Sequence, residues 1–149
     1  MKGTDDRMVE QLITSFIASA AFGVIFNAPK QSLIKCGTVG MIGWAIYAWL
    51  HYYEQVDNVV ATLLASFVIA FISQFFAKRY KTPMIIFSVA GIIPLVPGGL
   101  AYDAMRNFVE NDYNRAVELA AKAFMISGSI AIGLVFSEVV NQVIKKPRV

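Results

Sequence analysis

The longest stretch of the chain without a charged residue is TPMIIFSVAGIIPLVPGGLAY, residues 82–102. Four further stretches of 15 to 20 residues also lack Asp, Glu, Lys and Arg: residues 11–29, 36–53, 58–77 and 123–137. A helix needs about 20 mostly apolar residues to cross the hydrocarbon core of a bilayer. The chain has only 149 residues, 57% of them apolar and 15% charged, so no separate soluble domain fits. The sequence therefore predicts an all-α, polytopic transmembrane helix bundle with five apolar runs.

We expect one transmembrane domain over residues 1–149, with spans at about residues 9–26, 33–52, 58–77, 83–102 and 122–144. The first apolar run also resembles the core of a secretory signal peptide, because Ala18-Ser19-Ala20 could form a cleavage site. Acidic residues precede this run, and the apolar stretch continues past that site to Phe26. Both features favour a retained helix.

The composition excludes several functional classes. The net charge of +3 comes from basic residues that flank apolar runs, so it indicates membrane orientation rather than nucleic-acid binding. Cys36 is the only cysteine, which excludes an internal disulfide and a CxxC metal pair, and His51 is the only histidine. We expect Cys36 to pack and His51 to lie at the membrane interface. No phosphate-loop, dinucleotide-binding, zinc-protease or serine-hydrolase motif is present, so we expect no enzymatic activity, catalytic residue, cofactor or metal.

Lysine and arginine counts predict the orientation, because cytoplasmic loops carry an excess of both. With five alternating spans, the N-terminal segment and residues 103–122 lie on one face of the membrane and contain five basic residues. The segments on the other face contain eight basic residues. We therefore expect the N-terminus outside and the C-terminus in the cytoplasm. The counts stay at eight and five if the fourth run re-enters without crossing, so charge leaves both topologies open.

Small residues recur at every fourth position on three of the spans. They are Ser15, Ser19 and Gly23; Thr62, Ser66, Ala70 and Gln74; and Ser129, Gly133 and Ser137. Such stripes let helix backbones approach closely in lipid and let hydroxyl groups bond between helices. We expect them to hold the bundle together; the alternative is a polar lining of a transport pathway.

The segment between the fourth and fifth runs, residues 103–122, is charged but periodic. Its apolar residues recur at three- and four-residue spacings: Met105, Phe108, Val109, Ala116, Val117 and Ala120. Glu118 and Lys122 stand at i and i+4, in the order that favours an ion pair on a helix. We predict two short amphipathic helical extensions that meet near residues 111–114. They form either a solvated connector or an interfacial helix.

The fourth run contains the most informative sequence, Ile93-Pro94-Leu95-Val96-Pro97-Gly98-Gly99-Leu100-Ala101-Tyr102-Asp103. Neither Pro94 nor Pro97 can donate a helical hydrogen bond. Irregular backbone at membrane depth persists only where protein or a water-filled cavity satisfies it. We predict a break, with Pro97 as the first residue of a new half-helix, rather than a simple kink. The free amides of Gly98, Gly99 and Leu100 would attract an anion such as a substrate carboxylate.

Two acidic residues could supply charge to this segment. Asp103 follows Tyr102 directly after the break, and Glu138 lies within the last apolar run. A carboxylate inside a span is unfavourable and marks an ion or proton path, so both residues are candidates for proton coupling. Glu138 could instead extend toward Lys145 or Lys146 at the interface, and Lys35 at the start of the second span is expected to extend toward the interface in the same way.

These residues together resemble a known family. Asn27 and Pro29 after the first span, Cys36 in the second, the Ile93-Pro94-x-x-Pro97-Gly98-x-x-x-Tyr102 break and the Pro147-Arg148-Val149 end are similar to the small all-membrane subunit of two-chain threonine/serine exporters (ThrE-like). The resemblance covers essentially the whole chain. It implies a bacterial inner-membrane protein that exports threonine and serine, driven by the proton gradient, or dicarboxylates such as succinate in some two-chain members. It also implies a larger partner subunit with a hydrophilic N-terminal region.

Our leading hypothesis is a subunit of a secondary transporter. Pro94, Pro97, Gly98, Gly99 and Tyr102 would form the substrate site, and a small amino acid or carboxylate would be the substrate. The alternative from another class is a structural membrane subunit whose partner contains the whole pathway. Association with a larger chain and assembly as a homo-oligomer both remain open at this point.

Overall fold

The computed structural model describes residues 2–144, with side chains from residue 7 onward, and every regular element in this part is helical. The α-helices are α1 Lys2–Ile25, α2 Leu33–Tyr52, α3 Asn58–Tyr80, α4 Met84–Ile92, α5 Gly98–Val109 and α6 Tyr113–Ile144. Four of them, α1, α2, α3 and α6, include segments long and apolar enough to cross a membrane, and α4 with α5 forms a bent pair that would be a fifth. The predicted all-α polytopic bundle is confirmed.

Local sequence explains where the helices begin and end. After α1, Asn27 adopts a left-handed conformation with φ 54°, and Pro29 prevents continuation of the helix. Asp57 caps α3, because its Oδ2 accepts a hydrogen bond from the Val59 amide at 3.0 Å. The left-handed Lys81, φ 52°, ends the same helix.

The predicted amphipathic extensions are present as α5 and the first turns of α6. They are joined by a short turn in which Asn111 has φ 65°. The expected pair between Glu118 and Lys122 also forms, with Nζ to Oε1 at 2.8 Å. Residues 103–122 therefore belong to a helical hairpin.

Contacts between α1, α2 and α4 show how the first half of the chain packs. A side chain at Gly40 would collide with Ser19, and one at Gly23 would touch Leu33 and Cys36, so α1 and α2 run antiparallel with almost no gap. Cys36 is buried, as expected, and donates its Sγ–H to the Ile86 carbonyl at 3.6 Å. Helix α4 runs parallel to α2.

The longest helix, α6, has 32 residues and runs parallel to α3. Gln74 Nε2 donates to Ser137 Oγ at 3.4 Å, and four residues further along both helices Lys78 Nζ donates to Asn141 Oδ1 at 3.0 Å. The beginning of α1 and the end of α6 consequently lie at opposite faces of the bundle.

All three small-residue stripes are buried at helix contacts. The α6 stripe faces the α3 stripe, where Gly133 packs against Ser66 and against the Leu63 backbone. The α1 stripe faces α2. Large apolar side chains remain exposed on the outer faces, for example Ile17 at 60% and Phe75 at 62%, as expected for helices that contact lipid. The stripes therefore lie at packing contacts between helices.

Candidate functional site

The fourth apolar run is broken at the predicted position. Helix α4 ends at Ile92, a single 3₁₀ turn covers Ile93–Leu95, Val96 is extended, and α5 begins at Gly98. The axes of α4 and α5 differ by 53°. Helix α4 is antiparallel to α3 and α5 is antiparallel to α6, so both advance toward the same face of the bundle. This is the direction expected of a broken span rather than of a re-entrant loop.

Two details differ from the prediction. Pro97 is the N-cap of α5 rather than its first residue. The Gly98 amide is not free, because the chain closes a tight turn in which it donates to the Val96 carbonyl at 2.8 Å. The amides of Gly99 and Leu100 have no acceptor among residues 2–144. The break therefore offers two unpaired amides instead of three.

The start of α5 faces outward from this chain. Gly98 and Gly99 are exposed, and a Cβ built on either would have no neighbour within 4 Å. Tyr102 is also 68% exposed. The described residues therefore leave the start of α5 uncovered.

The other side of the break meets an open cavity of about 350 Å³ between α1, α2 and the 3₁₀ turn, and the accessible surface of its lining is mostly apolar. Its lining residues are Glu10, Gln11, Thr14, Ser15, Ala18, Trp44 and Pro94. The indole N–H of Trp44 is buried and has no acceptor in the described part of the chain, and the nearby Ser19 hydroxyl is also without a partner there. Of the sequence-predicted site residues, only Pro94 lines this cavity.

A second cavity of about 230 Å³ adjoins the first and shares Gln11 with it. The remaining lining residues are Arg7, Met8, Tyr52 and Tyr53. Arg7 opens the candidate span of α1, and Tyr52 ends α2, so this cavity lies at the face where α1 begins. The two cavities therefore follow each other along α1, from that face toward the break.

The structure does not bring Asp103 and Glu138 together. Asp103 is exposed on α5, and its backbone carbonyl accepts a hydrogen bond from Asn107 Nδ2 at 2.7 Å. Glu138 is exposed on α6, eleven residues beyond Ser127, which is the last residue of α6 that lines an apolar groove between α5 and α6. Eleven helical residues correspond to about 16 Å along the axis. The two carboxylates therefore belong to different regions of the bundle.

The sequence analysis assigned positions to Lys35 and to the lysines near Glu138, and the structure describes only Lys35. Lys35 Nζ lies 3.3 Å from the centre of the Tyr80 ring, so it makes a cation–π contact between α2 and α3. The proposed partners of Glu138, Lys145 and Lys146, lie outside the described residues. Within residues 7–144, no group of three or more His, Cys, Asp or Glu side chains could hold a metal ion.

The sequence interpretation missed Glu10 and Trp44. Thr14 follows Glu10 at i+4, and Gln11, Ser15 and Ser19 are spaced in the same way. This periodicity extends the small-residue stripe of α1 toward Glu10. It is the sequence signal for the polar side chains that line the two cavities.

Comparison with known proteins identifies the family. The family model described as threonine/serine exporter, ThrE, matches residues 11–140. A threonine/serine exporter from Corynebacterium glutamicum is 27% identical over 137 residues, which are 92% of this chain and 28% of that protein. An uncharacterized protein from Haemophilus influenzae is 30% identical over 104 residues, 70% of this chain and 35% of that protein.

The chain thus spans about a third of the length of these curated relatives. No solved structure matches it. The family match covers most of the chain and agrees with its apolar helices, which indicates an integral membrane protein. The chain belongs to the threonine/serine exporter family.

Proposed function

We propose that this chain is a subunit of a proton-driven secondary transporter that exports threonine and serine. Family membership supports amino-acid export. The observation that carries the proposal is the contact between the broken fourth span and a cavity whose lining includes polar side chains, since broken helices beside cavities are where transporters bind small polar substrates. In this proposal, Pro94 lines the substrate site from the cavity side. Pro97, Gly98, Gly99 and Tyr102 line it from the opposite side of the break.

The exposed half of the break supports a partner subunit. Gly98, Gly99 and Tyr102 are uncovered in this chain, and the relatives are about three times as long as the matched segment. We propose that a larger membrane chain with a hydrophilic N-terminal region covers this surface and completes the site. Alternating access then arises from movement of the two bundles against each other around the break. A second copy of this chain is the competing arrangement.

The proposed location is the bacterial inner membrane, with the N-terminus outside and the C-terminus in the cytoplasm. The supporting observation is the count of eight basic residues against five on the two faces. The bundle geometry agrees with an odd number of crossings, because α1 begins and α6 ends at opposite faces. A cysteine-accessibility scan of the two termini would test this orientation.

The test of the function is flux in vesicles that contain the chain co-purified with its partner. An imposed proton gradient should drive accumulation of labelled serine and threonine, and vesicles that lack this chain should show none. Transport of succinate without serine would replace the amino-acid proposal with dicarboxylate export. Unchanged serine flux without this chain would make it a structural subunit.

Substitutions at the break separate a transport role from an assembly role. Replacing Gly98 and Gly99 with Leu should abolish flux while the complex still co-purifies, because the new side chains meet nothing within this chain. Loss of the complex instead would favour a structural role for this surface. For proton coupling, Asp103→Asn or Glu138→Gln should remove the dependence on the gradient. Equal gradient-driven flux in both variants would exclude the two residues from that role.

A further inference from the structure

We infer that the corner between the start of α2 and the end of α3 binds a phospholipid with a net negative headgroup. Lys35 and Arg79 attract its phosphate, and Phe71 and Phe75 contact its acyl chains. The inference is independent of the proposed function, because it requires only that these helices span a membrane. It combines two features of the corner: a pair of cations, and an apolar stripe that leads away from one of them.

The two cations lie beside one aromatic ring. Lys35 Nζ is 3.3 Å from the centre of the Tyr80 ring, and Arg79 Cζ is 5.9 Å from the same centre. The sum of the two distances, about 9 Å, is the largest separation that the two cationic groups can have. Charges act on one another over about 8–10 Å in physiological salt. Both positive charges therefore act on the same anion.

The positive charge of this corner is not neutralised by the described part of the chain. Neither Lys35 nor Arg79 forms an ion pair with any residue whose side chain is described, since the ion pairs lie in residues 106–122. Lys30 lies in the turn before α2 and Lys81 caps the end of α3, so both add positive charge at this face. Basic pockets between transmembrane helices at a membrane surface favour anionic lipid headgroups.

The carboxylate of Glu138 belongs to another side of α3. Glu138 follows Ser137 on α6, and Ser137 accepts a hydrogen bond from Gln74, so the Gln74 side of α3 faces α6. Arg79 lies five residues beyond Gln74, which corresponds to a rotation of about 140° around the helix. Arg79 therefore points away from α6 and from its carboxylate.

The apolar stripe distinguishes a lipid from a free anion. Phe71, Phe75 and Arg79 recur at every fourth position, so they share one face of α3. Both phenylalanines are more than half exposed, and Arg79 is exposed one residue before the helix ends. A phospholipid has the same order, because its acyl chains lie in the hydrocarbon layer and its phosphate lies just outside it. A free phosphate would use the cations but not the stripe.

The experiment measures lipid binding to the full chain, purified in a nonionic detergent, by native mass spectrometry. The probes are phosphatidylglycerol and phosphatidylcholine with identical acyl chains. Phosphatidylglycerol should bind about 10-fold or more tightly. Lys35→Gln and Arg79→Gln should each raise its Kd about 5-fold, and the double variant about 25-fold, the effect expected of one and two basic residues at an anionic membrane surface.

Matched controls separate this corner from general effects of charge and apolar surface. Arg115→Gln removes one positive charge from α6 at the opposite face and should leave the Kd for phosphatidylglycerol unchanged. Phe75→Ala should raise that Kd, whereas Phe124→Ala, at an exposed phenylalanine of α6, should not.

Three results would overturn the inference. They are an equal Kd for the two lipids, an equal Kd for wild type and the double variant, and displacement of phosphatidylglycerol by inorganic phosphate at the same concentration. The last result would assign the corner to a free anion. If Lys35→Gln fails to fold because it loses the Tyr80 contact, Arg79→Gln decides the inference, since that side chain is exposed.

Discussion

The contact between α3 and α6 provides the sharpest test of the fold, because two glycines of α6 have opposite surroundings. A Cβ added at Gly133 would lie 2.7 Å from the Leu63 carbonyl oxygen and 3.1 Å from the Phe67 amide nitrogen, and it would also collide with the Ser66 hydroxyl. A Cβ added at Gly128 would have no neighbour within 4 Å. Both glycines lie inside the same helix, so the two Gly→Ala changes differ in packing alone.

The expected changes in the free energy of unfolding have opposite signs in the two variants. Gly128→Ala should stabilise the protein by about 0.5–1 kcal/mol, the usual gain in helix propensity. Gly133→Ala receives the same gain but places a methyl group against backbone that cannot rotate away. Overpacking of this kind destabilises by about 1–3 kcal/mol. We therefore expect Gly133→Ala to be the less stable variant by about that amount.

The assay is thermal unfolding in one detergent, followed by helical circular dichroism. One kcal/mol corresponds to about 2–4 °C in Tm for a domain of this size, so the two variants should differ by several degrees. Gly133→Leu should lower Tm further than Gly133→Ala, because separation of α3 from α6 must increase with side-chain size. Equal Tm values for Gly133→Ala and Gly128→Ala would refute the close approach of these two helices.

Substitutions at two positions and one labelling experiment test local features. Asp57→Ala should destabilise α3 by about 0.5–2 kcal/mol through loss of its N-cap, whereas Asp57→Asn should be nearly neutral in Tm. Tyr80→Leu should lower stability by about 0.5–2 kcal/mol, because it removes the ring that contacts Lys35. Tyr80→Phe keeps a ring and should lower stability much less. Equal losses of stability in the two variants would exclude the cation–π contact. Cys36, being fully buried, should react with a membrane-permeant maleimide only after unfolding, and rapid labelling of the native protein would contradict its position.

Much of the fold could be predicted because membrane burial imposes strict conditions on sequence. Charged side chains are too unfavourable in hydrocarbon to occur often inside a span, so the charge-free runs mark the helices that cross. Pro94 and Pro97 similarly marked the break, since neither residue can donate the helical hydrogen bond. These are local properties, and a single sequence is enough to read them.

The candidate site could be predicted only in part. Gly98 and Gly99 face outward because α4 and α5 meet at 53° and because α5 packs against α6. Neither the angle nor the packing follows from the residues of the break itself. The position of Glu10 in the cavity lining depends on which face of α1 meets α2 and the 3₁₀ turn. That choice is made by the close contact between Ser19 and Gly40, which joins residues distant in sequence. Small-residue spacing indicated a contact face but did not identify its partner.

The length of α6 has a mechanical consequence. Its 32 residues form a rod of about 48 Å, well beyond the roughly 30 Å of the hydrocarbon layer. The half from Gly133 to Asn141 packs closely along α3, and the first turns carry α5 as the second arm of a hairpin. No proline interrupts the helix between these two regions. A tilt of about 10° imposed at the hairpin therefore displaces the opposite end of α6 by several ångströms and moves α3 with it.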